Sequence, residues 1–183
     1  MRTELSNETI RIRRYRAEDI PLLFDAARES ISEMFTRWMP WCHRNYTLED
    51  SAAFVLSREE AWRKGEEYNF AILDFETGAF LGGVGLNQFN RDHGFANLGY
   101  WVRGSSMGRG VAAAAALLAA RFGFEDLQLN RVEIVIATQN ERSQRVAEKA
   151  RAKREGVLRN RLLIADRQHD AVMYSLVAAD LNF

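Results

Sequence analysis

The residues best placed to do chemistry are Gly108-Arg109-Gly110-Val111-Ala112-Ala113, just after Met107 and the strand-like run Phe95-Ala96-Asn97-Leu98-Gly99-Tyr100-Trp101-Val102. A strand that turns into a helix leaves the helix's first N–H groups without intrahelical acceptors, and the helix dipole adds partial positive charge there. Such an end binds anions, pyrophosphate among them. Gly108 and Gly110 allow backbone angles that a β-carbon forbids, and Ala112 and Ala113 keep the next turn small. A tight turn against a packed helix face asks for the same residues. They also fit Gly-x-Gly-x-x-Ala, a dinucleotide fingerprint. That fingerprint follows the first strand of its fold, with an acidic residue about 20 positions on at the end of the next strand. Here Glu133 falls inside its strand, and the roughly 50 residues that follow are too few for the second half of such a fold.

Few other side chains stand at a useful spacing. His43 sits beside Trp41 and Cys42 just ahead of a helix, as a candidate base or as an exposed loop histidine. Cys42, the only cysteine, reads as a small buried hydrophobe. His169-Asp170 reads as a turn before the last strand. Three scattered histidines and one cysteine give no metal-ligand spacing, so no metal is expected. Asn140 precedes a helix as its cap, with Ser143 in the first turn.

The 25 basic and 25 acidic residues balance, so no nucleic-acid partner is expected. A single cysteine suits a reducing compartment. Met1-Arg2-Thr3-Glu4-Leu5 is charged and lacks the apolar core of a signal peptide. The longest apolar run, 111–120, falls short of the roughly 18 residues that a membrane span needs. These features point to a cytoplasmic protein without membrane association.

The elements that must position these residues follow from periodicity. Ile10-Arg11-Ile12-Arg13 alternates as a half-buried strand does. Ile20, Leu23, Phe24 and Ala27 give 18–30 a helical spacing, with Pro21 tolerated in the first turn. Thr47 caps a second helix that runs to about Gly65. Strands are expected over 68–74, 80–87, 95–102, 131–138 and 171–177, and helices over 108–124 and 141–150. Three consecutive strands exclude a strictly alternating parallel sheet, so the class is a mixed α/β sheet, and no linker divides residues 1–183.

From about Ile10 to Leu181 the sequence resembles the Gcn5-related N-acetyltransferase (GNAT) superfamily, most of all its ribosomal-protein N-terminal acetyltransferase (RimJ/RimL-like) branch. Trp38-Met39-Pro40-Trp41 resembles that branch's apolar turn, Leu98-Gly99-Tyr100-Trp101-Val102 its fourth strand and Gly108-Arg109-Gly110-Val111-Ala112 its pyrophosphate loop. Leu129-Asn130-Arg131-Val132-Glu133, Asn140-Glu141-Arg142-Ser143, Ala147-Glu148-Lys149 and Arg154-Glu155-Gly156-Val157-Leu158-Arg159 continue the match in order.

The resemblance implies a mostly antiparallel central sheet flanked by helices, with the fourth and fifth strands splayed. It implies acetyl-coenzyme A as co-substrate, its pyrophosphate on Met107, Gly108, Arg109, Gly110, Val111 and Ala112 and its pantetheine arm against Trp101, Val102 and Asn140. Ser143 would protonate the departing thiolate, and a primary amine, on a peptide N-terminus or a small molecule, would attack the thioester. Trp38, Trp41 and Asn97 would face that amine, and a homodimer is implied as well. The sequence departs from the family at four places. Ser105 replaces a Gln or Arg ahead of the loop, and Asn97 and Leu162 stand where family carboxylates act as bases. Asparagine accepts no proton at neutral pH, which leaves the base to water or to a residue such as His43 and weakens the case for a ribosomal substrate. The rival is a module that binds coenzyme A without turnover. Lys149-Ala150-Arg151-Ala152-Lys153 also replaces a glycine-closed helix end.

Overall fold

A computed structural model describes residues 1–31, 37–39 and 41–181. Its strands are β1 (Glu4–Ser6), β2 (Ile10–Arg14), β3 (Tyr68–Asp74), β4 (Phe80–Asn90), β5 (Phe95–Val102), β6 (Arg131–Ala137), β7 (Lys153–Ile164) and β8 (Arg167–Leu176). The helices among the described residues are α1 (Asp19–Ser30), α2 (Leu48–Lys64), α3 (Val111–Glu125) and α4 (Glu141–Lys149). The strands form one sheet in the order β1-β2-β3-β4-β5-β6-β8-β7, in which only β5 and β6 run parallel. The mixed, mostly antiparallel sheet expected from the sequence is the one observed.

Strand β3 shows why the sheet is covered on both faces. Phe70 and Ile72 enter the core beneath α3 with Ile12, Leu86 and Leu98, whereas Ala71 and Leu73 meet Leu23 and Ala26 of α1 and Val55 of α2. A strand buried on both sides needs a near-continuous apolar sequence, and β3 has one. Each large side chain so buried contributes about 1.5–3 kcal/mol. Helix α3 approaches closely because Ala115, Ala116, Ala119 and Ala120 form its buried face.

The helix ends match their sequences. Thr47 and Asp50 form a reciprocal capping box at the start of α2, which ends on left-handed Gly65. Asp19, fully buried, receives both Arg13 guanidinium nitrogens at 2.7 Å, and this pins α1 to β2. Helix α4 closes without glycine. Arg151 takes φ +62°, and the N–H groups of Arg151 and Ala152 donate to Glu148 O and Ala147 O in a Schellman arrangement.

Four expectations need correction. The helix expected from Gly108 begins at Val111, because Gly108 and Gly110 take positive φ that no helix residue adopts. His169-Asp170 is not a turn; it lies inside β8, and the hairpin turns at Ala165 and Asp166, both with positive φ. Strands β1 and β7 escaped the sequence reading. β1 has only three residues, and β7 is an edge strand, mostly exposed and rich in charge, without the alternation that marks a half-buried strand.

Candidate functional site

The site begins where two strands part. β5 and β6 pair only at Phe95↔Arg131, Ala96↔Val132 and Asn97↔Glu133. From Leu98 to Val102, β5 stays with β4; from Ile134 to Ala137, β6 stays with β8. The fourth and fifth strands of the sequence reading are β5 and β6, since β1 adds one to the count, and they are splayed. A 3-10 turn (Gly104–Ser106) and Met107 then lead from β5 into α3. Gly108 and Gly110 have φ +77° and +84°, with no atom within 4 Å of where a β-carbon would stand. No side chain caps α3, and among the described residues the N–H groups from Gly108 to Ala113 reach no acceptor. That leaves an open anion cradle at the gap.

Helix α1 holds the cradle in place. Glu29 Oε1 accepts from Ser105 N at 2.6 Å, its Oε2 accepts from Arg103 Nε at 2.8 Å, and Ser30 Oγ accepts from Gly104 N at 3.1 Å. The Arg103 guanidinium, with the Ser105 N–H, lowers the Glu29 carboxyl to about 2. The position that departs from the family pattern, Ser105, thus has its backbone tied to α1.

A cavity of about 530 Å³ fills the gap. Trp101, Val102, Met107, Gly108, Gly110, Val111, Ala112, Asn140 and Ser143 all line it, together with Tyr100 and three cations of α4, Arg142, Arg145 and Lys149. Of the residues expected to hold the cofactor, only Arg109 lies off the wall, exposed to solvent. Asn140 caps α4 by accepting from Ser143 N at 3.2 Å. The Tyr100 hydroxyl lies 3.0 Å from both the carbonyl and the hydroxyl oxygen of Ser143. Burial pushes the Tyr100 phenol up to about 12, against the opposing effect of the Ser143 hydrogen bond.

A second cavity, of about 600 Å³, opens toward α1 and α2 and shares Trp38, Met39, Tyr100 and Trp101 with the first. Tyr15, Trp41, Tyr46 and Phe54 add aromatic walls, and Trp41 meets Trp101 edge-on at 5.2 Å. The floor is a row of glycines. A β-carbon at Gly85 would stand 2.3 Å from Asn69 Oδ1, and one at Gly83 would stand 2.4 Å from the Tyr15 hydroxyl. Asn69 Nδ2 donates to Glu67 Oε2 at 2.8 Å, which leaves its Oδ1 for the cavity. Among the described residues, His43 and Asp50 are the titratable lining groups besides the tyrosines, and Asp50 Oδ2 is engaged by Thr47 N at 2.8 Å.

The remaining expected residues fall as follows. Trp38 borders both cavities, and Trp41 and exposed His43 border the second. Asn97 lines neither; its Nδ2 donates to Asn87 Oδ1 at 2.9 Å, and it is Asn87 that faces the second cavity. Leu162 lies on β7 opposite His169, away from both. Pro40 lies outside the described residues. Cys42 is buried, donates to Ala27 O at 3.4 Å, and is raised to about 11 by that burial. Among the described residues no cluster of His, Cys, Asp or Glu could hold a metal, and no helix is long and apolar enough to cross a membrane.

Sequence reasoning missed Tyr100 and the α4 cations. A tyrosine in a strand is an ordinary β-former, and only its position two residues before Val102 at the gap marks it. The signal for the cations was there: Arg142, Arg145 and Lys149 stand at i, i+3 and i+7 on one helix face.

Residues 9–153 match the acetyltransferase (GNAT) domain model. YdaF of Bacillus subtilis (strain 168), provisionally named a ribosomal N-acetyltransferase, is 35% identical over 100 residues, 55% of each protein. The chain thus spans about half the length of this curated relative. A provisionally assigned ribosomal-protein-serine acetyltransferase from Vibrio cholerae has a TM-score of 0.80 at 26% identity, over 95% of this chain and 97% of that one. Mycobacterium smegmatis RimJ, solved with CoA-disulfide, shares the fold with a TM-score of 0.84 at 22% identity, over 95% of this chain and 84% of that one. With more than half its length matched by that domain model, and with a sheet that parts where the cradle lies, this chain belongs to the GNAT acetyltransferase family.

Proposed function

We propose that this protein transfers an acetyl group from acetyl-coenzyme A to a primary amine by direct attack of the amine on the thioester. The observation that carries this reading is the gap between β5 and β6, with free helix N–H groups at one end and paired hydroxyls at the other. Acetyl-coenzyme A, when bound, supplies an activated thioester. The residues fit it: the free N–H groups over 108–112, with Met107 on the wall beside them, hold the pyrophosphate, and Arg142, Arg145 and Lys149 add positive charge. The backbone of Trp101 and Val102 pairs with the pantetheine arm, and Asn140, whose Oδ1 is engaged by Ser143 N, offers the arm its Nδ2. Backbone N–H groups of β5 stabilise the oxyanion, and Ser143 is the general acid. RimJ's complex and YdaF's name support coenzyme A and an N-acetyl product.

The amine enters through the second cavity. Its described walls are aromatic around Trp41 and Trp101, and the one carboxylate among those described walls, Asp50, is spent on a helix cap. This favours an acceptor whose amine sits on a compact apolar body, a peptide N-terminus or small molecule, over a polycation. Asn69 Oδ1 accepts from the amine, Asn87, set by Asn97, donates to the acceptor's polar groups, and water or His43 takes its proton. We read residues 1–183 as one such unit, acting in the cytoplasm, with homodimerisation testable by light scattering.

The test is thiol release from acetyl-coenzyme A with a panel of amines. Turnover is expected to favour apolar monoamines and apolar peptide N-termini over polyamines. Because Asn97 and Leu162 replace carboxylates, a coenzyme A-binding module without turnover is the second reading. A raised melting temperature with coenzyme A but no thiol release on any amine would establish it.

A further inference from the structure

We infer that Tyr100 is the proton source for the departing thiolate, and that it acts through Ser143. The inference rests on the transferase reading and adds a residue to it. It begins from one distance repeated: the phenol oxygen lies 3.0 Å from Ser143 O and 3.0 Å from Ser143 Oγ. A single phenol proton serves one of these oxygens at a time, so the pair has two arrangements. When Tyr100 donates to the carbonyl, Ser143 Oγ–H donates to the phenol oxygen and is turned away from the cavity. When the phenol proton swings to Ser143 Oγ, the serine proton is freed to point into it. Both residues line the gap, and the Ser143 backbone is anchored at the start of α4 because its N–H donates to Asn140 Oδ1.

The chemistry balances without a carboxylate. The amine nitrogen forms its bond to the acetyl carbon, the carbon–sulfur bond breaks, and its electron pair stays on sulfur. Ser143 Oγ–H gives its proton to sulfur as Tyr100 gives its own to Ser143 Oγ. The proton shed by the nitrogen leaves to water in the second cavity, and the Tyr100 phenolate recovers one from solvent. An alkanol alone is a poor acid for a thiolate; a phenol behind it is a better one. Burial keeps that phenol protonated through the pH range in which the amine is neutral.

Tyr100→Phe, Ser143→Ala and the double variant test this. Phenylalanine keeps the ring and removes only the hydroxyl. We expect each single variant to lose kcat by about 100-fold, the usual size of an acid–base contribution. The double variant should be no worse than the lower single, because the two act as one unit. The rise in melting temperature with coenzyme A should persist in Tyr100→Phe, and its loss in kcat should shrink with an acetyl thioester of a more acidic thiol, which needs no acid. A purely structural role for the hydroxyl would not show that leaving-group dependence. Wild-type turnover beside a fully active Tyr100→Phe overturns the inference alone, as does a double variant whose losses multiply. Wild-type protein that binds coenzyme A and releases no thiol overturns the transferase reading, and this inference with it.

Discussion

The two cavities share a wall at Tyr100 and Trp101 but are built on opposite principles. The first is made of backbone: free N–H groups, two glycines in left-handed conformation and the open side of a strand, with cations at its rim. Its parts come mainly from two short stretches of sequence, 100–113 and 140–149, and would recognise any ligand with the same phosphates and amide-bearing arm. The second is made of side chains gathered from α1, α2, β3, β4, β5 and the 38–46 segment, mostly aromatic. A backbone site tolerates change in all but its glycines. A side-chain site can be retuned residue by residue. One molecule can therefore hold its donor constant while its acceptor varies.

The largest effect should come from the backbone side. Gly110→Val places a branched side chain at φ +84°, where left-handed backbone costs about 1–2 kcal/mol, and sets it in the cradle. Thiol release should fall by at least about 100-fold, with the coenzyme A-dependent rise in melting temperature lost. A Gly110→Val protein that still responds to coenzyme A would refute the cradle. Gly85→Ala should act on the other cavity alone, since its β-carbon would displace Asn69 Oδ1 from 2.3 Å. We expect kcat/KM for the amine to drop about tenfold while coenzyme A binding is unchanged. Equal damage to both ligands would show that the cavities are not independent.

Smaller effects probe the rim and the tether. Arg142→Gln with Arg145→Gln should raise the coenzyme A Kd by about fivefold at low salt, less as salt is added. A salt-independent loss, read by titration calorimetry, would mean packing and not charge. Glu29 has the smallest expected effect. Its carboxyl lies at about 2 in the folded chain, below the ordinary 4.5, so its contribution is present above pH 4.5 and lost as pH falls toward 2. Glu29→Gln should flatten that acid limb by less than about 1 kcal/mol, the scale of a partly exposed pair. Parallel melting curves for both proteins from pH 7 to pH 3 would remove the tether from the account.

The contrast also explains what was legible in the sequence. The cradle announced itself because its chemistry is positional: Gly108, Gly110 and the alanines of α3 are consecutive. Strands β2 to β6 were visible because burial on one or both faces imposes a pattern. β7 was not, because an exposed edge imposes none. Asn97 drew notice as a missing carboxylate, yet its structural role, setting Asn87, depends on a cross-strand neighbour that only the register reveals. Tyr100 was hidden for the same reason. Nothing in Leu98-Gly99-Tyr100-Trp101-Val102 says that Ser143 lies 3.0 Å from it. Contacts that bridge distant segments are invisible until the chain is folded.

Three rungs, at Phe95, Ala96 and Asn97, join β5 to β6 and therefore join five strands to three. Mechanically the sheet has a seam. With the seam open, those three rungs and the helices packed across the sheet are what join the two halves. Whatever pairs with β5 beyond Asn97 closes the seam as a zipper's slider does, and stiffens parts of the molecule it never touches. Amide hydrogen exchange gives this a clock. The amides of β5 that face the gap should exchange quickly in the free protein and slowly once coenzyme A is bound, and protection should spread into β6 and β8.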